Sequence, residues 1–261
     1  MLNYGKQLYQ KIQRVHLFLR ANRDDLLKND NWDMLFQVLT RLELSDEYTL
    51  DDYRSKKSTN NILRLYARKV STERSAEKEF EKYDNIHGMD ALFRNLSRKF
   101  FKKLINETEE LEEESDDLPE EPVNLPEKIE PESVVTLDFT PDAIWEAYLL
   151  RTTDYYIGHR WHGGYHKMTI PANIDELKKF RPRKEYEIPE YEKFIQETEF
   201  DFTPKIIING DVATIEHIAV FFHNRFSQCR ATVHYNREAR KIESFTFDST
   251  DIFKFSEHFC Y

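Results

Sequence analysis

Cysteine is nearly absent from this chain. Only Cys229 and Cys260 occur in 261 residues. So few thiols supply neither a disulfide framework nor an all-cysteine metal site. Glycine is scarce too, with six residues in all. No Gly-rich phosphate loop and no dinucleotide fingerprint can be assembled from them. No apolar run approaches the roughly 18 residues of a membrane span. The opening MLNYGKQLYQKIQRVHLFLR carries Lys and Arg throughout. It does not read as a signal peptide, and the expected location is cytoplasmic.

Aromatic residues are plentiful instead: 19 Phe, 14 Tyr and 3 Trp. Each can bury a large area, so core material is not lacking. The net charge of -10 is unevenly spread. Residues 1–106 hold 21 basic and 15 acidic side chains, residues 107–132 one lysine against 13 acids, and residues 133–261 16 basic and 20 acidic groups. The chain therefore reads as a basic block, an acidic bridge and a mildly acidic block.

The expected fold class is α+β, with an all-α bundle over 1–106, a linker over 107–132 and an α+β domain over 133–261. Leu8, Ile12, Val15 and Leu19 recur at helical spacing. A second apolar face is marked by Trp32, Leu35, Phe36, Leu39 and Leu42, and a shorter one by Ile62, Leu63 and Tyr66. Glu73–Tyr83 is a charged helical stretch. Met89, Leu92, Phe93, Leu96, Phe100 and Leu104 form the cleanest stripe. Such helices must pack on something, and a bundle is the simplest solution. The bridge is acidic and proline-containing, so self-repulsion and missing N–H donors favour a solvated spacer. A sharper alternative has it screening the basic block.

In the third block, Thr140 before Pro141 predicts a helix start. Residues 173–180 form a short helical candidate. Two strand-like runs flank Asn209-Gly210, which suits a type I′ hairpin. QCRATVHYN and KIESFTFD add two strands around the short loop NREAR. The expectation is a four-stranded antiparallel meander, of the curved kind that builds cone-shaped pocket domains.

Candidate sites follow from these elements. HRWHGGYH brings His159, His162 and His166 close in sequence, and imidazole suits zinc or another transition metal. The Gly163-Gly164 pair breaks the helical version of such a site and favours an aromatic turn. No H-E-x-x-H pattern is present, so no cofactor is expected; a metal at these histidines is the alternative. Tyr156, Trp161 and Tyr165 could line a pocket there, with Thr232 and Thr246 contributing from the sheet. Strand alternation puts Arg230, Thr232 and His234 on one face, beside Thr246 and Asp248. His234, Arg230 and Asp248 are the candidate catalytic set, since acid–base chemistry needs a histidine with a carboxylate in a cleft. His217 reads as a structural histidine on a covered strand. Arg94, Arg98, Lys99, Lys102 and Lys103 form the densest basic patch and the candidate anion site.

With no catalytic signature, the leading expectation is a protein-interaction or regulatory protein that binds a protein partner. One alternative is a metal-assisted or His–carboxylate enzyme in the third block. A second is nucleic-acid binding by residues 1–106. No membrane partner is expected.

Overall fold

A computed structural model of the chain describes residues 2–22, 25–26, 31–54, 63–72, 129–157, 168–180, 185–221 and 225–254. Helix α1 spans Leu2–Ala21. Its predicted stripe is real: Leu8, Ile12, Val15 and Leu19 are all buried. The second predicted helix is instead a short 3₁₀ helix, Trp32–Gln37, followed by strand β1, Leu42–Leu44. Trp32 and Leu35 are both buried, because residues three apart share a face in a 3₁₀ turn as they nearly do in an α-helix. The third predicted helix is also a strand. β2, Tyr48–Arg54, and β3, Leu63–Lys69, pair antiparallel, with Asp51 opposite Tyr66 and Leu50 opposite Ala67. The described residues before 73 thus hold a helix and three strands where an all-α bundle was expected. Residues 73–128, including most of the expected acidic linker, the charged stretch and the Met89–Leu104 stripe, lie outside the described residues.

The expected boundary between blocks is not where the packing divides the chain. Met1–Thr72 and Lys128–Tyr261 form one compact unit. β1 pairs with β4, Val135–Leu137, and Leu8, Trp32, Trp145 and Val233 belong to one core. The physical reason is that one amphipathic helix and a two-stranded ribbon cannot close a core alone.

Helix α2, Pro141–Ile157, is the centre of that core. Its start is as predicted: Pro141 holds the first position and the Ala143 N–H donates to Thr140 Oγ1 at 3.3 Å. Ala143 through Leu150 are buried without a break. A helix buried all round needs neighbours on several sides. α1 lies on one of them, where Trp145 Nε1–H donates to the Leu8 carbonyl at 3.0 Å. Thr152 and Thr153 are also buried, and their hydroxyls donate back to the Tyr148 and Leu149 carbonyls.

The antiparallel meander is present. β6, Lys205–Asn209, β7, Val212–Phe221, β8, Arg225–Asn236, and β9, Lys241–Lys254, pair in sequence order. β5, Met168–Thr169, adds a fifth strand beside the far end of β7. The curled sheet forms a half-barrel. The β6–β7 turn sits one residue later than the Asn209-Gly210 pair suggests. Asn209 pairs with Val212, leaving Gly210-Asp211 as the loop. Among the described residues Gly210 has φ +60° and Asp211 is not in the positive region, the pattern of a type II′ turn.

The two faces of the sheet differ. The inner face, with Ala213, Ile215, His217, Ala231 and Val233, packs in the core with α2. Among the described residues, the outer face is covered at one end only. There the short helix α3, Ile174–Leu177, and helix α4, Ile188–Glu197, build a second core with Val220, Phe226 and Phe253. Phe194 stacks on Phe253 with ring centroids 4.4 Å apart. The other end of the outer face has no such cover among the described residues.

Candidate functional site

The uncovered end of the outer face is an ordered array. Strand alternation sends every second side chain outward, and the antiparallel register aligns them in rows across four strands. In the first row Lys205 pairs with Glu216, Glu216 with Arg230, and Arg230 with Asp248. The second row runs Ile207, Thr214, Thr232, Thr246, and the third Asn209, Val212, His234, Ser244. All twelve are exposed or half-exposed. Ile207 is 55% exposed.

The first row alternates in sign. Arg230 Nε lies 3.8 Å from Glu216 Oε1. Lys205 Nζ lies 2.9 Å from Asp201 Oδ2; this hydrogen bond holds the ammonium above its ordinary pKa and the Asp201 carboxyl below its own. In water such pairs contribute little to stability, but their order defines a charge pattern.

Part of the predicted catalytic set meets here. Arg230 and Asp248 are direct partners, as are Thr232 and Thr246. His234 is opposite Ser244, four residues and about 13 Å along the strand from the Arg230–Asp248 pair. His234 and Asp248 therefore form no His–carboxylate pair. His234 instead borders an open depression of about 380 Å³ with Asp211, Asn236, Arg237, Glu238 and Glu243. Its polar groups largely serve one another: Asn236 Nδ2 donates to Glu243 Oε1 at 2.8 Å, and Arg237 pairs with Asp211. Sequence reading missed Lys205, Ile207 and Thr214, although the alternation of KIIIN and VATIEH carries them.

Two titratable groups of the core, His217 and Cys229, are held in their neutral forms. His217 Nδ1 lies 3.1 Å from the Ile218 carbonyl, which can only accept, so Nδ1 carries the proton. Nε2 then accepts from the Tyr148 hydroxyl at 2.5 Å. Full burial lowers the His217 pKa to about 4 and keeps the ring neutral. Burial raises the Cys229 thiol to about 12, so it is no nucleophile. His217 is structural, as its strand position suggested.

His159, His162, His166, Trp161 and Tyr165 lie outside the described residues, as do Arg94, Arg98, Lys99, Lys102 and Lys103. Tyr156 falls within the last turn of α2. Among the described residues, no group of three or more His, Cys, Asp or Glu side chains is arranged to hold a metal. No helix among them is long and apolar enough to cross a membrane.

No protein-family model, curated protein or solved structure matches this chain.

Proposed function

We propose that this protein is an interaction or regulatory protein, and that the uncovered half of the outer sheet face is its contact surface. One observation carries the reading: four paired strands present three rows of mostly polar side chains, while the inner face and the other end of the outer face pack into cores. A convex, mixed-charge surface suits a protein partner better than a small substrate, which needs a concave, largely enclosed site. The threonine row adds hydroxyls that both donate and accept. Ile207 supplies an apolar anchor at its edge.

The test is a photo-crosslinking residue at Thr246 in the full chain in cells, with the same residue at exposed Glu192 on α4 as control. A discrete adduct at Thr246 that is absent at Glu192 supports the reading. No adduct at Thr246 overturns it.

A further inference from the structure

Half of the hydrogen-bonding backbone of β6 is unused. The two-residue loop Gly210-Asp211 makes Asn209 and Val212 a hydrogen-bonded pair, and such pairs alternate along an antiparallel ladder. Asn209, Ile207 and Lys205 therefore bond to β7. The N–H and C=O groups of Ile206 and Ile208 point the other way. Among the described residues no strand pairs with that edge, and no other backbone group bonds to it.

β6 has few of the devices that usually blunt an edge. Its register with β7 is unbroken, no proline interrupts it, and Ile206, Ile207 and Ile208 are all β-branched. Lys205 is its one charge and sits at the end. The opposite edge strand, β9, bears Asp248 and Asp251, and its register with β8 shifts twice. Just before it, the Arg240 carbonyl accepts from the Leu137 N–H.

One antiparallel register satisfies the β6 edge with a copy of itself. A two-fold axis perpendicular to the sheet sets Ile207 opposite Ile207 of the second copy. Ile206 of each copy then pairs with Ile208 of the other. Each of these pairs exchanges two hydrogen bonds, so every free group of Ile206 and Ile208 is bonded. The neighbouring registers fail. Pairing Ile206 with its own equivalent sets Ile208 against Pro204, which has no N–H. Pairing Ile208 with its own equivalent sets Ile206 against Gly210 in the turn.

The side chains fit the same register. Ile207 opposite Ile207 is a non-hydrogen-bonded pair, where side chains approach most closely, and it covers a residue that is 55% exposed. On the inner side Ile206 and Ile208, both half-buried against the main core, meet across the axis. Lys205 faces Asn209, so no like charges are opposed. From this match we infer that β6 pairs edge to edge with β6 of a second copy, joining the two sheets into one. The pairing lies within the sheet layer and keeps both outer faces on one side, so the curl of each half-barrel continues through it.

A five-residue strand covers far less than the about 800 Å² per partner of stable complexes, so this dimer is weak and concentration-dependent. It is separate from the contact surface proposed above. Thr246 lies three strands, about 14 Å, from β6, so the adduct test and the present one fail independently.

The experiment is sedimentation equilibrium of the full chain from about 10 to 500 μM, with residue-resolved amide exchange at about 50 and 500 μM. The wild-type mass should rise from one chain toward two. Exchange at the Ile206 and Ile208 amides should slow with concentration, while the Ile207 amide, bonded to β7 throughout, should change little. Ile207→Lys and Ile207→Glu each set like charges directly opposite one another and should each weaken association at least tenfold. An equimolar mixture of the two should form a heterodimer, since Lys then faces Glu. Residue 207 lies on the outer face, so neither change enters the core, and recovery in the mixture shows both variants folded.

A wild type that keeps the mass of one chain throughout overturns the inference. So does a dimer that tolerates both single variants, or one in which the Ile206 and Ile208 amides gain no protection, because its contact lies elsewhere. Two variants with wild-type circular dichroism whose mixture stays monomeric overturn it as well.

Discussion

The Tyr148 hydroxyl and His217 Nε2 are 2.5 Å apart, and the bond joins α2 to strand β7 of the sheet. Trp145 and Tyr148 stack with centroids 5.2 Å apart, and the His217 ring meets both edge-on. The histidine therefore has its two nitrogens satisfied and its ring packed. Protonation would place a charge in this fully buried site and would force the Tyr148 hydroxyl to turn its proton away and accept from Nε2–H.

A pH dependence of stability follows. The folded pKa of about 4 lies below the ordinary value of 6.5. Above 6.5 both states are neutral and the full stability is present. As pH falls toward 4 the unfolded chain takes up the proton first, so stability is lost across that window, by roughly 3 kcal/mol in all. Urea unfolding at pH 7 and pH 5 should show a larger loss for wild type than for His217→Gln. Equal losses would mean that His217 does not carry the effect. Tyr148→Phe leaves Nε2 buried without its donor and should cost about 1–3 kcal/mol at pH 7.

A buried carboxylate fastens α1 to α2. Glu146 Oε1 accepts from Lys11 Nζ and Oε2 from the Arg41 N–H, each at 2.6 Å. Glu146 is 2% exposed and Lys11 20%. Removing one partner of such a pair strands the other, at about 3–5 kcal/mol. Glu146→Ala and Lys11→Ala should each destabilise by about 3 kcal/mol in denaturant titrations. The double variant should lose clearly less than the sum. Additive losses would show that the two groups act independently.

Gly5 is a packing glycine. A Cβ there would run into Thr203 Cγ2 in the loop before β6. Alanine should raise helix propensity by about 1 kcal/mol, yet the clash opposes it. Gly5→Ala is expected to lower Tm in the wild-type background and to raise it in Thr203→Ser, which lacks the clashing methyl. A gain in both backgrounds would mean that α1 does not press against this loop.

Gly210 matters for a different reason. Nothing lies within 4 Å of a Cβ built there, but its φ of +60° strains an L side chain. Gly210→Ala should therefore cost about 1 kcal/mol. Gly210→Asn should cost less, since asparagine tolerates this region. Thermal melts of the two variants test the order; equal melting points would argue against a positive φ at this turn.

Much of the local structure was readable without coordinates. The spacing of Leu8, Ile12, Val15 and Leu19 describes α1, and Thr140-Pro141 marks the start of α2. The polar alternation of Arg230, Thr232 and His234 describes the outward face of β8. These signals are local because a period of 3.6 or 2 is imposed by the backbone itself. Trp32–Leu42 and Leu63–Lys69 misled because short apolar runs fit a helix, a 3₁₀ turn or a strand equally well. What decides them is pairing with distant segments, such as Leu42 with Leu137.

The candidate site divides in the same way. Arg230, Thr232, His234, Thr246 and Asp248 could be assigned to one face from parity alone. That Arg230 meets Asp248 while His234 does not depends on the register of β8 and β9. That register includes shifts between Phe226 and Ser227 and between His234 and Tyr235. A shift of one residue changes which side chains meet, and no periodicity reveals it.

By itself the amino-acid order determined the α+β class, the antiparallel run of β6 to β9 and the outward set of polar side chains, since each follows from backbone period and turn chemistry. Tertiary structure alone decided that residues before 73 complete the core of the later sheet, and that α3 and α4 cover one end of its outer face. Burial of apolar surface is non-directional, so it selects partners by shape and not by nearness along the chain.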